Sequence, residues 1–157
     1  MIVFALVACK GDEAPPGSHL ASSYALPAGV RLVFAPLDTP EGATETLGRS
    51  GPRWELRDGD DWDDGAVLDS FAVDDADGIV VDGVLLLPAV FQKGTTEGGA
   101  KITGIGPHET WYGTFDDTVE VEVSSGRWEG TQRFAATLGP VTVTLDGLAW
   151  DLVSYDR

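Results

Sequence analysis

A chain of 157 residues, 43% of them hydrophobic, has room for one domain with a sizeable core, and its 20 glycines and 9 prolines fall short of a low-complexity composition. A formal net charge of −16 argues against nucleic acid as a partner and against adsorption to anionic membrane surfaces, so any membrane attachment needs another device. The lone cysteine, Cys9, rules out a disulfide within the chain.

The first stretch suggests what that device is. Ile2 to Ala8 is an apolar run, too short for the roughly twenty residues of a spanning helix but suited to the core of a secretory signal. Leu6-Val7-Ala8-Cys9 resembles a bacterial lipobox, in which a small residue precedes the cut and the cysteine thiol carries a diacylglyceride. This divides the chain into a signal-peptide remnant over 1–8, a lipidated flexible tether over 9–22 and a single β domain over 23–157. No basic segment precedes the apolar run, which predicts a start codon upstream. The competing reading makes residues 1–8 a first strand ending in a buried thiol. Lys10, where inner-membrane retention in some bacteria uses Asp, favours the outer membrane of the cell envelope over the inner.

Beyond the tether, Val30 to Phe34 reads as a strand, and Asp38 to Ser50 as a loop or weak hairpin. Arg53 to Arg57 alternates charged and apolar residues, as a strand with one wet face does. Ala66 to Val73, Gly78 to Leu87 and Ala100 to Ile105 read as further strands. Trp111 to Tyr155 is a nearly continuous meander. It includes Trp111 to Phe115, the alternating Val119 to Val123, the segment from Arg127 to Thr137, Val141 to Val143 and Leu148 to Tyr155, with Asp146-Gly147 as a hairpin turn. No stretch of helical length shows a 3.6 period. The expected fold is all-β, a curved antiparallel meander sheet, open or half-barrel, of about eight to ten strands with little helix.

Residues able to carry chemistry are few. Asp58, Asp60, Asp61, Asp63 and Asp64 surround Trp62 and are the candidate oxygen ligands for calcium, although the EF-hand spacing fails; a solvated acidic loop is the competing reading. His108 with Asp116 or Asp117 is the acid–base set a hydrolase would use, but no nucleophile elbow accompanies it. Two histidines and one cysteine cannot furnish a usual zinc site. Trp54, Trp128 and Trp150 fit strand cores, whereas Trp62, Trp111 and Tyr112 fall where exposed rings can contact a ligand or partner.

The order of motifs resembles that of uncharacterised bacterial lipoproteins. Tyr24 to Phe34, Leu87-Pro88 through Gly94-Thr95, Gly113-Thr114-Phe115, Phe134-Ala135 and Leu152-Val153-Ser154-Tyr155 carry the similarity. The resemblance implies a sheet like the open half-barrels of lipoprotein carriers and transfers no active site. The resulting expectation is a non-enzymatic envelope lipoprotein without a cofactor, held to the membrane by its lipid and binding an envelope protein or an apolar ligand. A hydrolase and a calcium-dependent adhesion module are the alternatives. Whether the concave face is filled by its own side chains separates a surface-contact module from a carrier.

Overall fold

The computed structural model describes residues 16–157, so Cys9 and the lipobox lie outside the described residues. Among the described residues there are fourteen strands: β1 (His19–Leu20), β2 (Arg31–Pro36), β3 (Glu45–Ser50), β4 (Arg53–Asp58), β5 (Val67–Asp74), β6 (Ile79–Val81), β7 (Val84–Leu87), β8 (Val90–Phe91), β9 (Thr96–Glu97), β10 (Ala100–Glu109), β11 (Thr114–Val123), β12 (Gly130–Ala135), β13 (Gly139–Leu145) and β14 (Leu148–Asp156). One 3-10 turn, Ala21–Tyr24, is the only helical element among the described residues.

Twelve strands form one antiparallel sheet in the order β7-β6-β5-β4-β3-β2-β14-β13-β12-β11-β10-β9, while β1 pairs with β8. Read from β2, this is an up-and-down meander whose last strand, β14, returns to pair with the first, and the sheet curls into a nearly closed barrel. The unpaired seam lies between β7 and β9. There the side chains of Val84 and Leu85 pack against Gly126 and Gly98, and an added Cβ on Gly98 would lie 3.1 Å from Leu85.

The all-β expectation holds, with more strands than the eight to ten anticipated. Gly78 to Leu87 is not one strand, because Asp82 and Gly83 take positive φ (48° and 78°) and turn the chain back as a tight hairpin. Glu45–Ser50, expected within a loop or weak hairpin, is a full strand between β2 and β4. Trp111 and Tyr112 form a turn rather than the start of a strand. The Asp146-Gly147 turn stands where it was expected, again with positive φ at both residues.

Order also begins earlier than residue 23. His19 and Leu20 pair with Phe91 and Val90, His19 stacks on Phe91 (centroids 5.6 Å apart), and Ala21 and Tyr24 are buried. The Tyr24 hydroxyl donates to Asp117 Oδ1 at 2.6 Å, which seats the segment on β11. These contacts replace a tether over 19–22 with a docked segment.

Alternation dictates the inside. On β11, Val119, Val121 and Val123 face inward while Glu120 and Glu122 face out, and the same period places Phe134, Val141, Val143, Leu152, Phe34 and Leu47 in a single core. Trp128 meets Trp54 and Phe71 edge-on at 6.1 and 5.1 Å. Gln132, 1% exposed, is the polar exception: its Nε2 donates to the carbonyls of Trp128 and Thr144, and its Oε1 accepts from the Thr144 amide, so the side chain bonds backbone groups beside the bulge between β12 and β13. The interior void lined by Phe34, Glu45, Leu47, Phe71, Trp128 and Trp150 is about 20 Å³, room for one water. The concave face is filled.

Glu45 is the one carboxylate lining that apolar void, and burial, then the charge of Asp58, push its pKa up. A raised folded pKa gives stability that is complete below the unfolded value and is lost as pH rises through the folded one. Glu45→Gln therefore raises the melting temperature at neutral pH and gives no gain well below the ordinary value of 4.5. Melts across that range check it; an equal gain at both ends, or a loss at neutral pH, contradicts the account.

Candidate functional site

The outward faces of β11 to β14 form a transverse polar row. Glu120 registers with Arg133, Arg133 with Thr142, and Thr142 with Asp151, and the row ends at Ala35 of β2. Thr142 and Asp151 point away from the core yet are only 8% and 3% exposed, so something covers them. The cover is the end of the β10–β11 hairpin.

A register shift between Gly106 and His108 separates the last residues of β10 from the regular ladder. The hairpin closes through a tight turn in which the Thr110 amide donates to the Gly113 carbonyl at 2.9 Å, with Trp111 and Tyr112 at its apex. The apex is tied across to β14 at two points: the Trp111 amide donates to Asp151 Oδ2 at 3.0 Å, and the Tyr112 amide donates to the Leu152 carbonyl at 2.9 Å. The other Asp151 oxygen accepts from the Thr142 hydroxyl at 2.7 Å, and Thr142 Oγ1 lies 3.4 Å from His108 Nε2. Two donors thus compensate a buried carboxylate that would otherwise be costly. The Trp111 indole N–H donates to the Leu37 carbonyl at 3.1 Å, fixing the ring although the residue remains 55% exposed. Tyr112 packs on Tyr155 and Phe115, with centroids 4.8 and 5.9 Å away.

Beside this arm lies an open groove of about 390 Å³, floored by Glu120, Thr131, Arg133, Thr142 and Thr144 and flanked by His108, Glu109, Ala149 and Leu37. Leu37 and Asp151 also line the adjoining hollow under Trp111, and Leu37 and Ala149 the one beside exposed Leu148, so the three share their Leu37 edge. Glu120 accepts from Thr103 at 2.6 Å and pairs with Arg133, and Glu122 accepts from the Thr131 hydroxyl. Burial first, and then Arg133, push the His108 pKa down, against the opposing pull of Asp151, Glu120 and Glu109. The neutral imidazole is the form this site favours.

The residues singled out from the sequence divide sharply. Trp111 and Tyr112 are exposed, side by side and anchored. His108 does not gather Asp116 and Asp117: it contacts Thr142, Asp117 is held by Tyr24, and Asp116 is exposed. Trp62 is half-buried and acts as an anchor within the chain. Its ring lies between Arg31 and Arg57, with guanidinium carbons 4.0 and 4.4 Å from the centroid, and rests on Gly48, where an added Cβ would come within 2.8 Å. That ring and the Arg57 bond to the Trp62 carbonyl (2.8 Å) pin the acidic loop over β3. Asp58, Asp60, Asp61, Asp63 and Asp64 are all exposed around it, and no three His, Cys, Asp or Glu side chains converge to hold a metal ion among the described residues. Asp151, Thr142 and Arg133, central to the groove, carried no motif; their shared outward register was the available signal.

Compared with protein-family models, curated proteins and solved structures, the chain matches none. No helix among the described residues is long and apolar enough to cross a membrane, a statement that does not bear on strands.

The geometry makes Asp151 and Thr142 energetically coupled. Thr142→Val, which leaves one Asp151 oxygen without its donor, destabilises the fold by about 1–3 kcal/mol in urea unfolding. In the Asp151→Ala background the same change costs measurably less, because the carboxylate it served is gone. Strictly additive losses contradict the coupling.

Proposed function

We propose that this chain is a non-enzymatic, lipid-anchored module of the bacterial envelope that binds its partner on the outside of the barrel, at the cleft beside Trp111. The observation that carries the reading is the contrast between the two faces. A void of about 20 Å³ leaves the interior no space for an apolar cargo, since small-molecule pockets run to several hundred Å³. The outer cleft has that size, and the hollow next to it, which shares Leu37, Glu109 and Asp151, is lined by the anchored, exposed Trp111, an aromatic residue of the kind that dominates binding surfaces. A surface-contact role follows better than a carrier role.

The bonding of Thr142 favours binding over hydrolysis. Its hydroxyl proton goes to Asp151, so His108 is not positioned to abstract it, and the bonds through Asp151 serve to hold the hairpin arm on the sheet. The envelope part of the reading rests on Leu6-Val7-Ala8-Cys9 and on the lipoprotein-like order of motifs. The outer membrane is the preferred site, from Lys10.

Metabolic labelling with an alkynyl fatty acid tests the anchor: the full-length protein takes up label and Cys9→Ser does not, while an unlabelled wild type removes the anchor from the account. The binding face is tested by cosedimentation of the purified protein with washed envelope fragments. A Trp111→Ala/Tyr112→Ala variant with an unchanged melt loses most of the retention, by about tenfold or more if these rings are the anchoring contacts. Equal retention, or saturable uptake of a neutral lipophilic dye by the folded barrel, overturns the outer-face reading.

A further inference from the structure

We propose that the cleft beside Trp111 binds a neutral glycan, an inference that rests on the outer-face reading above and names the ligand class. The argument starts from which groups in the cleft are already engaged. Glu120 is bonded to Arg133 and Thr103, and both Asp151 oxygens accept hydrogen bonds, from Thr142 and from the Trp111 amide. Of the carboxylates lining the groove, only exposed Glu109 at the rim makes no hydrogen bond or ion pair among the described residues. A cationic peptide would therefore find Glu109 free on the rim, Glu120 already paired with a cation, and Asp151, 3% exposed, out of reach beneath the hairpin end. An anionic polymer would meet a protein of net charge −16.

The floor nevertheless retains hydrogen-bonding capacity. Arg133 has N–H donors beyond the one given to Glu120, the partly exposed Glu120 oxygens keep lone pairs, and the Thr131 and Thr144 hydroxyls donate within the sheet while their oxygens can still accept. An apolar peptide laid across these groups would take them out of water unpaired, which is unfavourable. Beside them stands the Trp111 ring, held by its N–H on Leu37, with apolar Leu37 and Ala149 nearby. A ligand that fits needs an apolar face to lie on a ring and a rim of hydroxyls to both donate and accept, without net charge. A pyranose has those two features, and a fixed ring loses little freedom on binding it.

The test is titration of the folded domain with neutral tetra- to hexasaccharides of β-linked glucose and of N-acetylglucosamine, read by tryptophan fluorescence and calorimetry at low and high salt. The expected result is saturable binding that salt does not weaken. It falls about tenfold in Trp111→Ala and is largely kept in Trp111→Tyr, which preserves a ring, as for an aromatic anchor. Both variants are surface changes, and an unchanged melt confirms that the fold is intact. No response to any neutral glycan, while Trp111-dependent retention on envelope fragments persists, overturns the ligand class and leaves the outer-face reading standing. Loss of both overturns both. Binding of a lysine-rich peptide at the cleft that disappears at high salt, with no glycan response, also overturns the proposal in favour of a basic protein partner.

Discussion

A carboxylate removed from water has to be given hydrogen-bond donors, and meeting that need at Asp151 sets the geometry of the whole outer cleft. One donor is local, the Thr142 hydroxyl on the neighbouring strand; the other is the Trp111 amide, forty positions away in the chain. The second bond carries the end of the β10–β11 hairpin across the outward face of the sheet. There it covers Thr142, brings His108 against it and leaves the Trp111 and Tyr112 rings pointing to solvent at a defined place. Without that buried charge the hairpin end would have one backbone bond to β14, from Tyr112 to Leu152, and the indole bond to Leu37 to hold it.

The barrel beneath supplies the rigidity this arrangement needs. The meander closes by pairing its first and last strands, so β13, β14 and β2, which carry Thr142, Thr144, Asp151 and the approach to Leu37, sit in the middle of the sheet rather than at its seam, and β11 and β12 complete the floor beside them. Their inward residues pack into one core with almost no void, which leaves the outer face as the side that can vary without loss of the fold. The same economy governs the acidic loop. One tryptophan between two arginines fixes it, the strand below accepts the ring by having glycine at position 48, and the aspartates are left to solvent.

Much of the fold was legible in the sequence because period-2 alternation is a local signal. Val119 to Val123 and the Asp146-Gly147 turn read directly as strand and hairpin, and both stand where they were expected. The misses were places where a tertiary partner decided the outcome. Glu45–Ser50 looks polar because its outer face is covered by Trp62 and by a Thr46 bond to the Gly59 carbonyl, neither of which is near in sequence. His19 to Ser22 looked like tether, since the order there comes from Phe91 and from the seating of Tyr24 on Asp117. Trp111 and Tyr112 were legible as exposed rings, but the cleft beside Trp111 was not. Its floor is assembled from outward residues on β11, β12 and β13, with Asp151 of β14 beside them, and no motif marks a residue as buried on the wet side of a sheet.

Amide hydrogen exchange in the wild-type protein tests this account most directly. If Asp151 and the Leu152 carbonyl hold the hairpin end on the sheet, the Trp111 and Tyr112 amides, although at the apex of an exposed turn, exchange as slowly as the ladder amides of β13 and β14. Exchange of those two amides at the rate of an open turn, with β14 still protected, would contradict it.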